Sequence, residues 1–225
     1  MADADGRAGR SYSPGTGRCN LNCQIGITLT PLKPLHGRID LGDGSIDGHP
    51  PVPRRLSSLE DCFADRGAFR DAVASADPVV YTVSTVEAAD GAGQLHYGVG
   101  TIAPGRVGAE YYMTRGHLHA WRAAAELYVG LQGTGHLLLE EEGTGRSRLV
   151  PLTPHDVVYV PGDTAHRTIN TGSAPLVYLG VYPAAAGHDY RRISGRSFRK
   201  VVVARRGKPE MMDREAFLGT SEFVS

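Results

Sequence analysis

The most constraining feature of this sequence is a succession of about ten short β-type segments after Val79, without a helical pattern between them. The segments run from VVYTVSTVEAA to RKVVVARR, and turn sequences such as DGAG, QGTG and PGDT separate them. A strand with one apolar face must bury that face against other strands or helices. Because helices are missing between the segments, the sequence predicts an all-β barrel or sandwich.

Composition changes along the chain predict three regions. Residues 1–53 are rich in Gly, Pro, Asp and Arg and show little periodicity, so we expect a partly disordered N-terminal arm. The domain itself is predicted over residues 54–205, and short helices are expected between Ser57 and Asp77. Residues 206–225 are polar, and we predict a C-terminal tail with one helical turn at most.

Composition also limits the possible partners and the cellular compartment. The 225 residues are 41% hydrophobic, which suits one domain with a substantial core. The formal net charge of +0 gives no reason to expect nucleic acid or an acidic membrane surface as partner. We find no apolar run of about 18 residues and no apolar signal core. Cys19, Cys23 and Cys62 are a poor disulfide framework. We therefore predict a cytoplasmic protein without membrane association.

Four candidate metal ligands are spread over three of the segments. His117 and His119 are two residues apart, so on a strand both imidazoles point to one face. Glu126 opens the next predicted strand, and hairpin pairing would bring its carboxylate opposite the two histidines. His166 would close against them if the sheet curls into a barrel. Three neutral imidazoles and one carboxylate suit Fe²⁺, Mn²⁺, Ni²⁺, Co²⁺ or Zn²⁺ and leave coordination positions for water or substrate.

This spacing resembles the two motifs of the cupin superfamily. Matching residues are His117, His119, Glu126 and Gly133 in the first motif and Pro161, His166 and Asn170 in the second. His155 and Asp163 stand where the second motif has glycine, and these departures affect turns and not ligands. The resemblance implies a single cupin (jelly-roll) β-barrel with short N-terminal helices and an extended N-terminal arm.

Longer strings are similar to one cupin family, the cupin-type glucose-6-phosphate isomerases. They are EYYMTRGHLHA, AELYV, VVYVPGDTAHRTINTG and LGVYPAAAGHDY, and the resemblance covers about residues 54–205. It implies a metal-dependent aldose–ketose isomerase of glycolysis and gluconeogenesis that interconverts glucose 6-phosphate and fructose 6-phosphate. It also implies a homodimer with one divalent ion per site, which would be Fe²⁺, Mn²⁺, Ni²⁺ or Zn²⁺.

The same resemblance implies roles for individual residues. Glu126, Tyr128 and Tyr182 would be catalytic. Glu126 would move the proton between C2 and C1 of the sugar. A hydride shift between these carbons would need no base, and both routes stay open. Thr114, Arg115 and Gly116, here named the phosphate cradle, offer a hydroxyl, a guanidinium and a backbone N–H to the substrate phosphate. The other substrate contacts would come from Tyr81, His188 and Tyr190.

One departure from the family pattern concerns the substrate. A family threonine on the strand before the cradle aligns with Gly100, and Thr101, one residue on, should point to the opposite face. An isomerase that acts on a different phosphorylated compound is therefore an alternative. Two further alternatives keep the ligand set, namely an Fe-dependent cupin dioxygenase and a sugar sensor without chemistry.

Overall fold

Short strands are the main regular secondary structure in the computed structural model, which describes residues 36–193 and 197–220. Most of the predicted arm, with Cys19 and Cys23, lies outside the described residues. The prediction of an all-β fold is confirmed.

Seventeen strands and two α-helices are present in the described residues. In chain order the strands are β1 (Ile39–Asp40), β2 (Ser45–Ile46), β3 (Val52–Arg55), β4 (Val79–Glu87), β5 (Leu95–Ile102), β6 (Arg106–Val107), β7 (Glu110–Tyr111), β8 (Leu118–His119), β9 (Glu126–Gln132), β10 (Gly135–Glu141), β11 (Ser147–Leu152), β12 (Val157–Val160), β13 (Thr164–Asn170), β14 (Leu176–Pro183), β15 (His188–Asp189), β16 (Lys200–Arg205) and β17 (Lys208–Asp213). The helices are α1 (Arg66–Ser75) and α2 (Arg214–Leu218), and a 3-10 helix spans Leu56–Leu59. Among the described residues, no helix is both long and apolar enough to cross a membrane.

Two antiparallel sheets form the two walls of the barrel. The larger sheet has the strand order β12-β9-β14-β5-β4-β3, and the smaller one has the order β11-β10-β13. The segment before and within β8 runs along the smaller sheet, where isolated bridges join Met113 to Ile169 and His117 to His166. A further sheet, β17-β16-β7-β6, and the pair β15-β8 complete the fold. The backbone of the second motif therefore lies directly beside the backbone of the first.

Side-chain alternation on β14 shows how the larger sheet separates its two faces. Tyr178, Gly180 and Tyr182 face the barrel interior, where they line a cavity. Val177 and Leu179, at the alternate positions of the strand, belong to an apolar cluster that includes Ile46 of β2. Strand residues point alternately to opposite faces, so the outer face of this sheet needs a cover, and residues around β2 provide part of it. The predicted boundary after residue 53 falls inside β3.

The short helices predicted before the barrel are present. Asp65 is the N-cap of α1 and accepts a hydrogen bond from the backbone N–H of Ala68, which satisfies one of the free amides of the first turn. Phe69 of α1 stacks on Phe63 with ring centroids 5.9 Å apart. Both rings belong to the main core, together with the buried Leu56 and Leu59 of the 3-10 helix.

The two residues that replace motif glycines occupy turns. His155 has a φ of 75° and Asp163 a φ of 54°, which is the left-handed region that glycine adopts most easily. A non-glycine residue there costs roughly 1 kcal/mol, so the departures affect local stability and leave the ligands alone. Asn170 of the same motif has a structural place, because its amide donates to the carbonyls of Ile102 and Ala174.

The C-terminal region differs from its prediction. Lys208–Asp213 was expected in a polar tail but forms β17, which pairs with β16 along its whole length. Its polar residues Lys208, Glu210 and Asp213 are exposed because β17 lies at the edge of its sheet. The predicted short helical turn follows as α2, whose Phe217 is buried.

Candidate metal centre and substrate cavity

Three parts of the barrel bring the candidate ligands together. His117 precedes β8 and His119 ends it, Glu126 begins β9, and His166 lies in the middle of β13. The predicted hairpin between the first histidines and Glu126 is wrong, because β8 pairs with β15 while β9 lies between β12 and β14. Barrel closure, and not local pairing, therefore places the carboxylate opposite the imidazoles.

The four side chains converge on one point. Each offers one ligand atom, and these atoms all lie within 4.8 Å of one another. Glu126 Oε2 is 3.2 Å from His119 Nε2, 2.9 Å from His166 Nε2 and 3.9 Å from His117 Nε2. We refer to His117, His119, Glu126 and His166 as the metal centre. Its donor atoms already face inward, as coordination of one ion requires.

Two further observations fit a cation at this point. The Nδ1 atoms of His119 and His166 lie 3.0 Å and 3.1 Å from the carbonyl oxygens of Ala124 and Thr164, which turns each Nε2 toward the centre. His117 Nε2 is buried without a hydrogen-bond partner among the described residues. A buried nitrogen without a partner carries a desolvation cost that coordination would remove. The residues present therefore fit a divalent metal ion.

Electrostatics at the metal centre favour an ionised Glu126 and a neutral His117, whereas burial at His119 is outweighed by the hydrogen bond and charge of Glu126, so that the pKa of His119 is raised. Burial opposes ionisation of Glu126, but the hydrogen bonds of His119 and His166 outweigh it and hold the pKa of this carboxyl well below its usual range. Burial, followed by the charge of His166, lowers the pKa of His117 well below its usual value. A neutral His117 and an anionic Glu126 are the protonation states that metal ligands need.

A cavity of about 240 Å³ opens from the metal centre toward the surface. His117, Glu126 and His166 line it, while His119 lies behind it and is 4% exposed. The structure also brings every predicted substrate contact and both predicted catalytic tyrosines to this cavity, namely Tyr81, Thr114, Arg115, Gly116, Tyr128, Tyr182, His188 and Tyr190.

The phosphate cradle directly precedes the metal centre in the sequence, and packing and hydrogen bonds fix its backbone. Gly116 has a φ of 75°, and a Cβ there would lie only 2.9 Å from the carbonyl oxygen of His166, so no side chain fits. The carbonyl of Arg115 accepts a hydrogen bond of 2.7 Å from the buried Arg167. The Arg115 guanidinium donates to the carbonyl of Ser58, which fixes the direction of its side chain.

Four tyrosines surround the cavity with buried hydroxyl groups. Burial raises the pKa of Tyr128 well above its usual value, and it raises the pKa of Tyr182 to about 12, in both cases with a further contribution from the Glu126 charge. Burial likewise raises the pKa values of Tyr81 and Tyr178. These phenols therefore stay protonated at neutral pH and can donate hydrogen bonds to a sugar.

The mouth of the cavity carries an aromatic pair. The rings of His188 and Tyr190 stack with centroids 5.8 Å apart, and His188 is 4.4 Å from the ring of His117. Arg122 holds this segment in place through a 2.7 Å ion pair with Asp189. The same guanidinium donates to the carbonyl of His119, so the mouth and the metal centre share one anchor.

The cavity also contains residues that the sequence analysis did not assign to the site. Arg54 lies on β3 and lines the cavity. Burial raises the pKa values of Tyr81 and Tyr190, and the positive charge of Arg54 opposes this. Tyr178 and Gly180 lie on β14 at the two-residue spacing that leads to Tyr182. That spacing was a usable signal, because three inward positions of one strand must share the cavity. Arg54 had no such signal, since only the sheet order brings β3 to this cavity.

Comparison with known proteins decides the family. The model of the glucose-6-phosphate isomerase (GPI) family matches residues 53–215. The chain belongs to this family. The glucose-6-phosphate isomerase of Pyrococcus horikoshii is 41% identical over 181 residues, which cover 80% of this chain and 95% of that protein. A protein of Rhizobium meliloti named putative glucose-6-phosphate isomerase 1 is 38% identical, and the match covers 71% of this chain and 75% of that protein.

Solved structures that overlap with this member of the glucose-6-phosphate isomerase family do so over about half of the chain. An oxalate oxidase in complex with the substrate analogue glycolate has a TM-score of 0.43 and 11% identity, covering 51% of this chain and 57% of that one. A variant of Bacillus subtilis oxalate decarboxylase has a TM-score of 0.38 and 22% identity, covering 51% of this chain and 28% of that one.

Proposed function

We propose that this protein is a metal-dependent aldose–ketose isomerase that interconverts glucose 6-phosphate and fructose 6-phosphate. The observation that carries the proposal is that one cavity contains both the metal centre and the phosphate cradle. An open-chain sugar phosphate has reacting carbons at one end and a phosphate at the other. The two ends of the cavity match these two demands, and the named relatives carry the corresponding activity in their names.

The metal centre would hold one divalent ion, with Fe²⁺, Mn²⁺, Ni²⁺ and Zn²⁺ as candidates. When bound, such an ion supplies Lewis-acid polarisation of the carbonyl and holds the C1 and C2 oxygens in a cis arrangement. His119 and His166 are fixed by their Nδ1 contacts to backbone carbonyls, so the ligand geometry would be preorganised.

Glu126 is our candidate for moving the proton between C2 and C1. Its Oε2 faces the histidines, whereas its Oε1 points toward Gly180, where a Cβ would lie only 2.9 Å away. Gly180 carries no side chain against Oε1, and both residues line the cavity, so we propose that a substrate carbon approaches Oε1 there. The lowered pKa makes Glu126 a weak base, so the alternative of a direct hydride shift needs its own test.

The tyrosines would orient the sugar and keep water away from the reacting carbons. Burial raises the pKa of Tyr128, and the neighbouring Glu126 carboxylate raises it further, which keeps a phenol donor beside the proposed base. Tyr182 lies beside His119 and His188, with ring centroids 6.4 Å and 5.5 Å away. We propose that Tyr128 and Tyr182 contact the C1 and C2 oxygens, and that Tyr81, His188 and Tyr190 contact the rest of the chain.

The test is turnover by purified protein loaded separately with each of the four metals. We expect interconversion of the two hexose phosphates, followed by a coupled assay, with at least one metal. Absence of turnover with all four would rule the function out, and oxygen uptake would point to a dioxygenase. Turnover in deuterium oxide separates the two routes, because proton transfer incorporates solvent deuterium at C1 or C2 and a hydride shift does not.

A second candidate keeps the site and changes the phosphorylated substrate. Gly100 favours it, because the cavity wall lacks a side chain where the family has threonine. A panel of aldose and ketose phosphates of different lengths would rank the substrates by kcat/KM. A homodimer and a cytoplasmic location stay predictions; light scattering of the purified protein tests the first and cell fractionation the second.

A further inference from the structure

Gly100 leaves a space in the cavity wall, and the ring of Tyr178 occupies it. The two residues are register partners on neighbouring strands, β5 and β14. A Cβ on Gly100 would lie 2.3 Å from Cζ and 2.4 Å from the hydroxyl oxygen of Tyr178, which is closer than atoms can approach. Glycine on one strand and tyrosine on the other therefore form a single unit, in which the first makes room for the second.

The Tyr178 hydroxyl belongs to a hydrogen-bond network that reaches the phosphate cradle. Burial raises the pKa of Tyr178, and the nearby hydroxyl of Thr168, on β13, opposes this as a hydrogen-bond donor does. The backbone N–H of Thr168 donates to Thr114 Oγ1 over 3.0 Å. Thr168 is 1% exposed, so it links the two hydroxyl groups from inside the barrel wall.

This network prepares both hydroxyl groups as donors. A hydroxyl has one proton and two acceptor positions. Thr114 Oγ1 accepts from the Thr168 amide, and with the Thr168 hydroxyl as donor Tyr178 also accepts, so each residue keeps its own proton for the cavity. Two O–H donors that reach one cavity from different strands suit an anionic oxygen atom.

Tyr178 has neighbours on both sides: the ring of Tyr128 lies 5.5 Å away toward the metal centre, and Tyr81 lies toward the cradle. Beyond burial, the proximity of Tyr81 contributes to the raised pKa of Tyr178, and the backbone of Arg115 in turn lowers the pKa of Tyr81 against the larger effect of burial. Arg54 and Arg115 supply positive charge on the same side of the cavity. This positive charge favours contact between the Tyr178 hydroxyl and the anionic group of a substrate.

We propose that Tyr178 is a specificity-determining residue whose hydroxyl donates to the phosphoryl group of the substrate, in place of the side chain that Gly100 lacks. The identity of the ligand as a sugar phosphate rests on the proposed function. The donor role itself needs only a phosphoryl oxygen in the cradle.

The first test is Tyr178→Phe, which keeps the ring and removes the hydroxyl. Loss of one hydrogen bond to a charged group should weaken binding about tenfold. We expect this factor in the dissociation constant of inorganic phosphate, measured by calorimetry, and in the KM for the hexose phosphate, with kcat within about twofold. Tyr159→Phe is the matched control, because Tyr159 is 66% exposed and outside the cavity. Metal content should equal that of the unmodified protein in both variants.

The second test moves the hydroxyl to the other strand. Tyr178→Leu should weaken phosphate binding, and the double variant Gly100→Thr with Tyr178→Leu should recover a large part of it, because the shorter side chain makes room for threonine. Gly100→Thr alone should bind phosphate poorly, because its side chain meets the Tyr178 ring. A double variant that binds no better than Tyr178→Leu would show that the two positions are not one unit.

Two results would overturn the proposal. One is a Tyr178→Phe protein that binds phosphate as tightly as the unmodified protein. The other is a fall in kcat with unchanged KM and unchanged phosphate binding, which would put the hydroxyl at the reacting carbons. Failure of the proposed function looks different: the unmodified protein would not isomerise hexose phosphates, while the phosphate measurements would still decide the role of Tyr178.

Discussion

The metal centre and the phosphate cradle lie in the same cavity, yet the barrel builds them differently. The metal centre uses four side chains that converge within 4.8 Å, and three of them are buried. The cradle end uses the partly exposed Thr114 and Arg115, the exposed Arg54 and the buried Tyr178, which come from different parts of the barrel. The metal centre requires each ligand atom at a fixed position, whereas the cradle end provides several hydrogen-bond donors and positive charges.

This difference explains where the chain can depart from its family. An ion needs its ligands at fixed distances, so none of the four can be exchanged without loss. A phosphate accepts hydrogen bonds from several directions, so a hydroxyl lost from β5 can be supplied from β14. We propose Gly100 and Tyr178, whose ring fills the space beside Gly100, as such an exchange. Substitutions at the two ends should therefore change different measured quantities.

The largest expected effect is that of Glu126→Ala. It removes the carboxylate that His119 and His166 contact, so metal affinity should fall by more than about a hundredfold and turnover should disappear. Metal content after dialysis, measured by mass spectrometry, checks this. Glu60→Ala, at an exposed position, is the control. A Glu126→Ala protein with full metal content would show that the ligand assignment is wrong.

Arg115→Ala should have the next largest effect, and on a different quantity. Loss of a charge-assisted hydrogen bond should raise the KM for the sugar phosphate about ten- to a hundredfold, with metal content unchanged. Steady-state kinetics beside metal analysis check this, and Arg106→Ala on the exposed part of β6 is the control. If Arg115→Ala instead lost metal, the two ends would not be independent.

Arg54→Ala should have the smallest effect. Arg54 is exposed, so its charge is screened by solvent, and we expect a two- to fivefold rise in KM, on the order of an exposed ion pair. The rise should shrink as ionic strength increases, because salt screens exposed charges. KM measured at low and high salt for both proteins checks this. A KM effect that is the same at both salt concentrations would contradict an electrostatic role.

Much of the candidate site was readable from the sequence. His117, His119, Glu126 and His166 follow a spacing that a strand period of two and a closed sheet can explain, and the structure brings them together. Arg54 and Thr168 were not readable, because their places depend on which strands become neighbours. Lys208–Asp213 was misread because an edge strand with alternate exposed residues looks like a polar tail.

The sequence by itself determined the all-β class, the positions of most barrel strands and the set of candidate metal ligands, because period-two alternation and ligand chemistry are local properties. Only the tertiary structure decided that Glu126 reaches the histidines through barrel closure and not through a hairpin, and that Tyr178 fills the space over Gly100. The physical reason is that pairing between distant strands depends on how the whole sheet closes, and no short stretch of sequence contains that information.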